Sequence, residues 1–195
     1  MKDIEIIKYL IEKKNEEVNI AKISRELKID YKNTYLIVKK IEKESLVKLE
    51  SFGHSTRVKL TQQVHPAIFE AEYKRRQDLL RNKNLAVMLN EFKKRLQSKF
   101  YVLLIFGPYA KKTQTKHSDI DLMFIAPNKQ EDLFDKEIHH ISRLLPLPMH
   151  FLVFSEEQFS NMADSKDSNV VKEALKNNVV LNGIEDYYRI IENLL

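Results

Sequence analysis

The most constraining feature of this chain is the unbroken apolar row Phe100-Tyr101-Val102-Leu103-Leu104-Ile105-Phe106. A strand that alternates apolar and polar residues has one wet face, whereas a continuous apolar run of this length reads as a strand covered on both faces. Such a strand needs neighbours in a sheet and helices to cover it. Residues 99–195 supply both in alternation. A second apolar strand is expected around Ile120–Ile125, a helix over 130–145 and a third strand at Met149–Phe154. Helices near 156–162 and 168–176, a short strand Val179-Val180-Leu181 and a final helix from about Glu185 complete the pattern. This is an α/β unit on a small mixed sheet.

The residues before it follow a different rhythm. Residues 3–13 carry Ile4, Ile7, Tyr9, Leu10 and Ile11 at helical spacing. Asn19 is placed to cap a second helix that buries Ile20, Ile23 and Leu27. A third helix is expected over 31–44, with Tyr35, Val38 and Ile41 facing the core. Leu36 and Ile37 then project from it, and apolar residues there suit a protein interface better than base readout. The stretches 46–52 and 56–60 alternate with period two around Gly53-His54-Ser55, which predicts a hairpin. From Pro66 to about Ser98 the residues are helix formers, and with Asn82 to Asn84 as a point where the run could break, one long helix and two shorter ones are both compatible with it. The expected organisation is therefore 1–62, a connector 63–98, and 99–195.

Charge divides along the same line. Within a net charge of +5, residues 1–98 carry the positive excess and residues 99–195 a small negative one. A basic half suits contact with phosphates. The chain contains no cysteine, which excludes disulfides and thiolate metal sites and fits a reducing cytoplasm. No apolar run approaches the roughly 18–20 residues that span a bilayer, and the start lacks a secretion signal. A cytoplasmic protein with no membrane contact is expected.

The chemistry concentrates in Leu104-Ile105-Phe106-Gly107-Pro108-Tyr109-Ala110-Lys111-Lys112 and Lys116-His117-Ser118-Asp119-Ile120-Asp121-Leu122-Met123. Residues i and i+2 of a strand share a face about 6.5–7 Å apart, so Asp119 and Asp121 can converge on one or two divalent cations such as Mg²⁺ or Mn²⁺. Such cations neutralise a nucleotide's phosphates and help activate an attacking hydroxyl. Gly107 lets backbone approach those phosphates, and Lys111 and Lys112 add charge.

A strand, a glycine, and then Ser118-Asp119-Ile120-Asp121 opening another strand resembles the DNA polymerase beta-like nucleotidyltransferase superfamily, most of all its minimal members. The resemblance spans about residues 85–190 and is specific over 104–125. It implies a nucleoside triphosphate substrate, metal on Asp119 and Asp121, and a phosphate side lined by Gly107, Pro108, Lys111, Lys112 and Ser118. Two positions depart from that pattern. Pro108 stands where the family has Ser, and His150 stands near where many members carry a third carboxylate, in reach of a base's role. Minimal members often work beside a small helical partner protein, so a protein acceptor is implied as well as a nucleic-acid one.

Residues 3–61 resemble a winged helix-turn-helix, with Ser45 where glycine is usual before the first wing strand. That resemblance implies duplex DNA as a partner, touched by Lys32, Asn33, Lys39, Lys40 and Lys43 of the third helix and by Arg57 and Lys59 of the hairpin. Protein contact, including a homodimer, is the other use of that face. The resulting expectation is an α+β chain in which a winged helix is joined to a metal-dependent nucleotidyltransferase. Its alternative is a DNA-binding regulator or antitoxin whose second domain only binds nucleotide or a partner.

Overall fold

Two side-chain caps decide where the N-terminal helices begin. Asn19 accepts a hydrogen bond from the Lys22 amide, and Asp30 accepts from the amides of Lys32 and Asn33. Each satisfies donors that a helix start leaves open. Helix α1 (Lys2–Glu12) is followed by α2 (Ile20–Leu27) and α3 (Tyr31–Lys43), and then by the antiparallel hairpin β1 (Val47–Phe52) and β2 (Ser55–Leu60). The computed structural model describes residues 1–53, 55–192 and 194, and it falls into two units, Met1–Lys74 and Arg75–Leu195. His54, at the expected hairpin turn, lies outside the described residues.

The first unit is built on isoleucine: Ile4, Ile6, Ile7 and Ile11 of α1 are buried with Ile20 and Ile23 of α2 and with Val38 and Ile41 of α3. One expectation fails here. The inward stripe of α3 is Thr34, Val38 and Ile41, while Tyr35 is 42% exposed. Thr34 can be buried because its hydroxyl donates to the Asp30 carbonyl at 2.9 Å, which removes the penalty of hiding a polar group. The stripe thereby shifts by one residue and turns Tyr35 outward. Leu27 is only half-buried, again short of expectation. Ser45 takes the left-handed conformation, φ +58°, that the usual glycine at this helix end would adopt. Asn19, which the sequence marked only as a helix cap, also meets the hairpin, together with Val18. The Val58 amide donates to the Val18 carbonyl at 2.7 Å, and Asn19 bridges Arg57.

Helix α4 (Pro66–Leu79) carries the chain from one unit into the next, and Asn82 caps a separate helix α5 (Lys83–Arg95). Thus the interruption near Asn82 is real, and the span 63–98 divides between the units at Lys74. In the second unit come β3 (Val102–Phe106), α6 (Gly107–Lys111), β4 (Ile120–Ala126), α7 (Glu131–Ser142) and β5 (Met149–Ser155). They are followed by α8 (Glu156–Asp164), α9 (Val170–Lys176), β6 (Asn178–Asn182) and α10 (Ile184–Glu192). The sheet runs β5-β4-β3-β6; β4 and β5 are parallel and the other pairs antiparallel, so it is mixed as expected.

Every residue of β3 is buried. One face of the sheet meets α5 and α7, through Leu85, Met88 and Phe92 on the first and Phe134, Ile138 and Ile141 on the second. Phe92 stands edge-on to Phe124 of β4 with ring centres 5.2 Å apart. Strand β3 starts two residues later than the apolar row suggests. Phe100 is 82% exposed, whereas Tyr101 turns in against Phe124 and Phe134. Burial pushes the Tyr101 hydroxyl pKa up to about 12. The edge strand β6 is held from outside by Arg75, whose guanidinium donates to the Asn178 carbonyl at 2.7 Å, and by Arg76, which donates to the Leu181 carbonyl at 3.2 Å. Buried carbonyls at a sheet edge need such donors.

Candidate active site

The site forms where β3 ends and β4 begins. Phe106 and Asp121 are opposite each other in the antiparallel register, so the residue after Phe106 lies against the Asp121 side chain. That residue is Gly107, at φ +64°. A Cβ built there would meet the Asp121 Oδ2 at 2.2 Å and its Cγ at 3.2 Å. Glycine is therefore required twice, once for its backbone angle and once for the room it leaves a carboxylate. The expectation was that Gly107 admits phosphate; its first neighbour in the structure is Asp121.

Asp121 is half-buried, and burial pushes its carboxyl above the ordinary carboxylate pKa. The charge of Asp119 pushes the same way, while His150 opposes both. His150 is paired with Asp121 across the parallel β4–β5 register, and its Nδ1 stands 3.6 Å from the Asp121 Oδ1. That is the distance of an ion pair and not of a hydrogen bond. The imidazole is otherwise open, with 63% of its side chain exposed. Asp119 is exposed just before β4, close enough to Asp121 for like-charge repulsion. The fold thus brings Gly107, Asp119, Asp121 and His150 together.

The other expected residues are placed differently. Pro108 occupies the first turn of α6, where its missing amide disrupts no helical bond. Lys111 pairs with Glu173 of α9 at 3.8 Å, a partner to which no sequence motif pointed. Lys112 is exposed at the left-handed end of α6. The Ser118 hydroxyl is engaged by its own loop: it accepts from the Thr115 amide at 2.9 Å and lies 3.2 Å from the Thr115 hydroxyl. Thr115, which sequence reading missed, pins the turn that delivers Asp119; the Thr-x-x-Ser spacing was its visible trace.

Among the described residues no group of three or more histidine, aspartate or glutamate side chains is gathered as a metal-holding cluster. What the chain offers a cation is the oxygen pair Asp119 and Asp121. Two carboxylates are what Mg²⁺ commonly takes from a protein when phosphates and water complete its shell. A cation there would also offset the burial, and the smaller repulsion from Asp119, that raise the Asp121 pKa. The residues present fit the ion.

On the first unit, Lys32 and Asn33 are exposed in the first turn of α3, and Lys43 and Lys59 are exposed. Lys39 pairs with Glu42 at 2.7 Å, Lys40 with Asp3 at 3.4 Å, and Arg57 with Glu17 at 3.8 Å. These are surface pairs of small energy, which a polyanion can displace. No helix among the described residues is long and apolar enough to cross a membrane.

No curated protein and no solved structure matches the chain. Residues 89–180, which contain Gly107, Asp119, Asp121 and His150, match the family model of the nucleotidyltransferase domain, and that match supports nucleotidyl transfer as the chemistry of the second unit.

Proposed function

We propose that the second unit is a metal-dependent nucleotidyltransferase and that the first unit, read as a winged helix, holds nucleic acid. The observation that carries the first part is the seating of the Asp121 carboxylate on the bare Cα of Gly107, with Asp119 and His150 beside it. That geometry reserves a half-buried anionic group at the open end of a sheet, a site that gains by taking up cationic charge.

Asp119 and Asp121 would hold Mg²⁺ or Mn²⁺, which when bound neutralises triphosphate charge and favours ionisation of the acceptor hydroxyl. The acceptor oxygen attacks the α-phosphorus of the nucleoside triphosphate. A new P–O bond forms, the bond to the β-phosphate oxygen breaks, and pyrophosphate leaves with its electron pair. The acceptor's proton goes to His150, whose exposed ring is close to Asp121 and in reach of a substrate. Lys111, Lys112 and Ser118 lie on the phosphate side. The acceptor is a protein or nucleic-acid hydroxyl. The basic α3 and hairpin face of the first unit favours the latter, with Lys32, Asn33, Lys39, Lys40, Lys43, Arg57 and Lys59 as the contacts.

One observation favours a second reading, in which the unit binds nucleotide without transferring it. Pro108 offers neither an amide nor a hydroxyl to phosphate. Calorimetry with Mg²⁺ and each nucleoside triphosphate, set beside release of pyrophosphate, separates the two. Binding with turnover supports transfer, and binding alone supports the second reading. Equal behaviour of the Asp119→Ala/Asp121→Ala protein removes the site from both.

A further inference from the structure

The outward turn of Tyr35 leaves a patterned face on α3. Residues four apart on a helix stack on successive turns of one face, and Tyr31, Tyr35, Lys39 and Lys43 have that spacing. Tyr31 is 56% exposed, Tyr35 42%, and the neighbouring Leu36 55%. Large apolar groups concentrated in this way mark a binding surface. Its charge tells the kind of partner: within α3, Lys32, Lys39, Lys40 and Lys43 stand against Glu42 alone. An apolar protein surface would offer those ammonium groups no counter-charge beyond the exposed pairs of Lys39 with Glu42 and Lys40 with Asp3.

A nucleic-acid duplex would satisfy the lysines but not the rings, because its bases are stacked on each other and show only their edges in the grooves. Unpaired bases offer open faces, and aromatic side chains flanked by cationic groups are the common means of holding them. One helical turn advances about 5.4 Å, more than the rise of about 3.4 Å between stacked bases in a strand. A strand lying along α3 therefore has its bases drawn apart, each free to meet a ring. We infer that the outward face of α3 binds single-stranded nucleic acid, with successive bases stacked on Tyr31 and Tyr35 and the adjoining phosphates on Lys39 and Lys43. This rests on the nucleic-acid reading of the first unit and narrows it to unpaired strands.

The test is fluorescence anisotropy of the full chain, at low salt, with a labelled single-stranded oligonucleotide and with a duplex of the same sequence. The single strand should bind more tightly. Tyr31→Ala and Tyr35→Ala should each weaken it about tenfold, as loss of one stacked base does, and should leave the duplex unaffected. Tyr→Phe at either position should retain binding, since stacking needs the ring and not the hydroxyl. Glu42→Gln, which frees Lys39 from its 2.7 Å ion pair, should tighten it. If the alanine variants bind the single strand like wild type, or the duplex is preferred with the tyrosines silent, the inference is overturned while the nucleic-acid reading survives. Failure of the wild type to bind either probe overturns both. A dimer in sedimentation that Tyr35→Ala dissolves would give this face to a second copy and overturn the inference as well.

Discussion

Replacing Gly107 by alanine isolates what the site requires of its backbone, because the chain contains two other glycines at positive φ to compare. Gly53 is at φ +56° with nothing within 4 Å of a new Cβ. Gly53→Ala should show backbone strain alone, about 1–2 kcal/mol of stability. At Gly183, φ +70°, a Cβ would strike the Tyr101 carbonyl oxygen at 2.8 Å and the Val102 Cα at 3.2 Å. Those are backbone atoms of the strand and its approach, so Gly183→Ala should be the most destabilising of the three. At Gly107 the obstacle is the Asp121 Oδ2 at 2.2 Å, the end of a side chain that can rotate. Gly107→Ala should therefore lose about 2–3 kcal/mol, the strain plus an off-rotamer aspartate. It should also move the carboxylate by an ångström or more, and displacement on that scale lowers a rate about 10²-fold. Thermal melts and nucleotide transfer of the three variants, measured together, check this. Stability should fall in the order Gly53→Ala, Gly107→Ala, Gly183→Ala, with transfer in the folded protein collapsing only at Gly107. A Gly107→Ala protein that melts near Gly53→Ala and transfers nucleotide like wild type would refute the reasoning.

Other outcomes follow from the same structure. Burial raises the folded pKa of Asp121, so that carboxyl favours the fold most below its ordinary value of 3.8 and loses this as pH rises through the raised value. Metal-free Asp121→Asn should accordingly melt above wild type at neutral pH, and melts in acid should show the difference closing. Pro108→Ser restores an amide and a hydroxyl beside the phosphates. Single donors of this kind are worth about 10²–10³ in rate, and steady-state transfer should rise in that direction. His150→Ala should lower transfer by about 10²–10⁴, and His150→Asp should recover part of it; steady-state transfer rates of the two variants read both. Arg57→Ala/Lys59→Ala should weaken nucleic-acid binding about equally for all sequences and flatten its salt dependence in a titration at several ionic strengths.

Much of this was legible in the residues, and the exceptions have physical causes. The strands β3 and β4 and the carboxylate pair between them were visible because uninterrupted apolar runs and an Asp-x-Asp spacing are local patterns. The pairing of His150 with Asp121 was only approximate from sequence, since it depends on the register of two strands separated by α7. Tyr35 was misassigned because period alone cannot tell a buried tyrosine from a buried threonine whose hydroxyl has found a backbone carbonyl. The partner of Lys111 was invisible because Glu173 arrives from a helix far along the chain. Thr115 was overlooked because a turn's internal hydrogen bonds leave only a faint trace in composition.

The most direct measurement follows the label. The full chain with Mg²⁺ is incubated with nucleoside triphosphates labelled at either the α- or the γ-phosphate, in the presence of total cellular RNA and protein as acceptors. Label from the α-position should enter the macromolecular fraction while γ-label leaves as pyrophosphate, and Asp119→Ala/Asp121→Ala should abolish the transfer. Incorporation of γ-label, incorporation that survives loss of both aspartates, or no α-label from any of the nucleotides would contradict nucleotidyl transfer at this site.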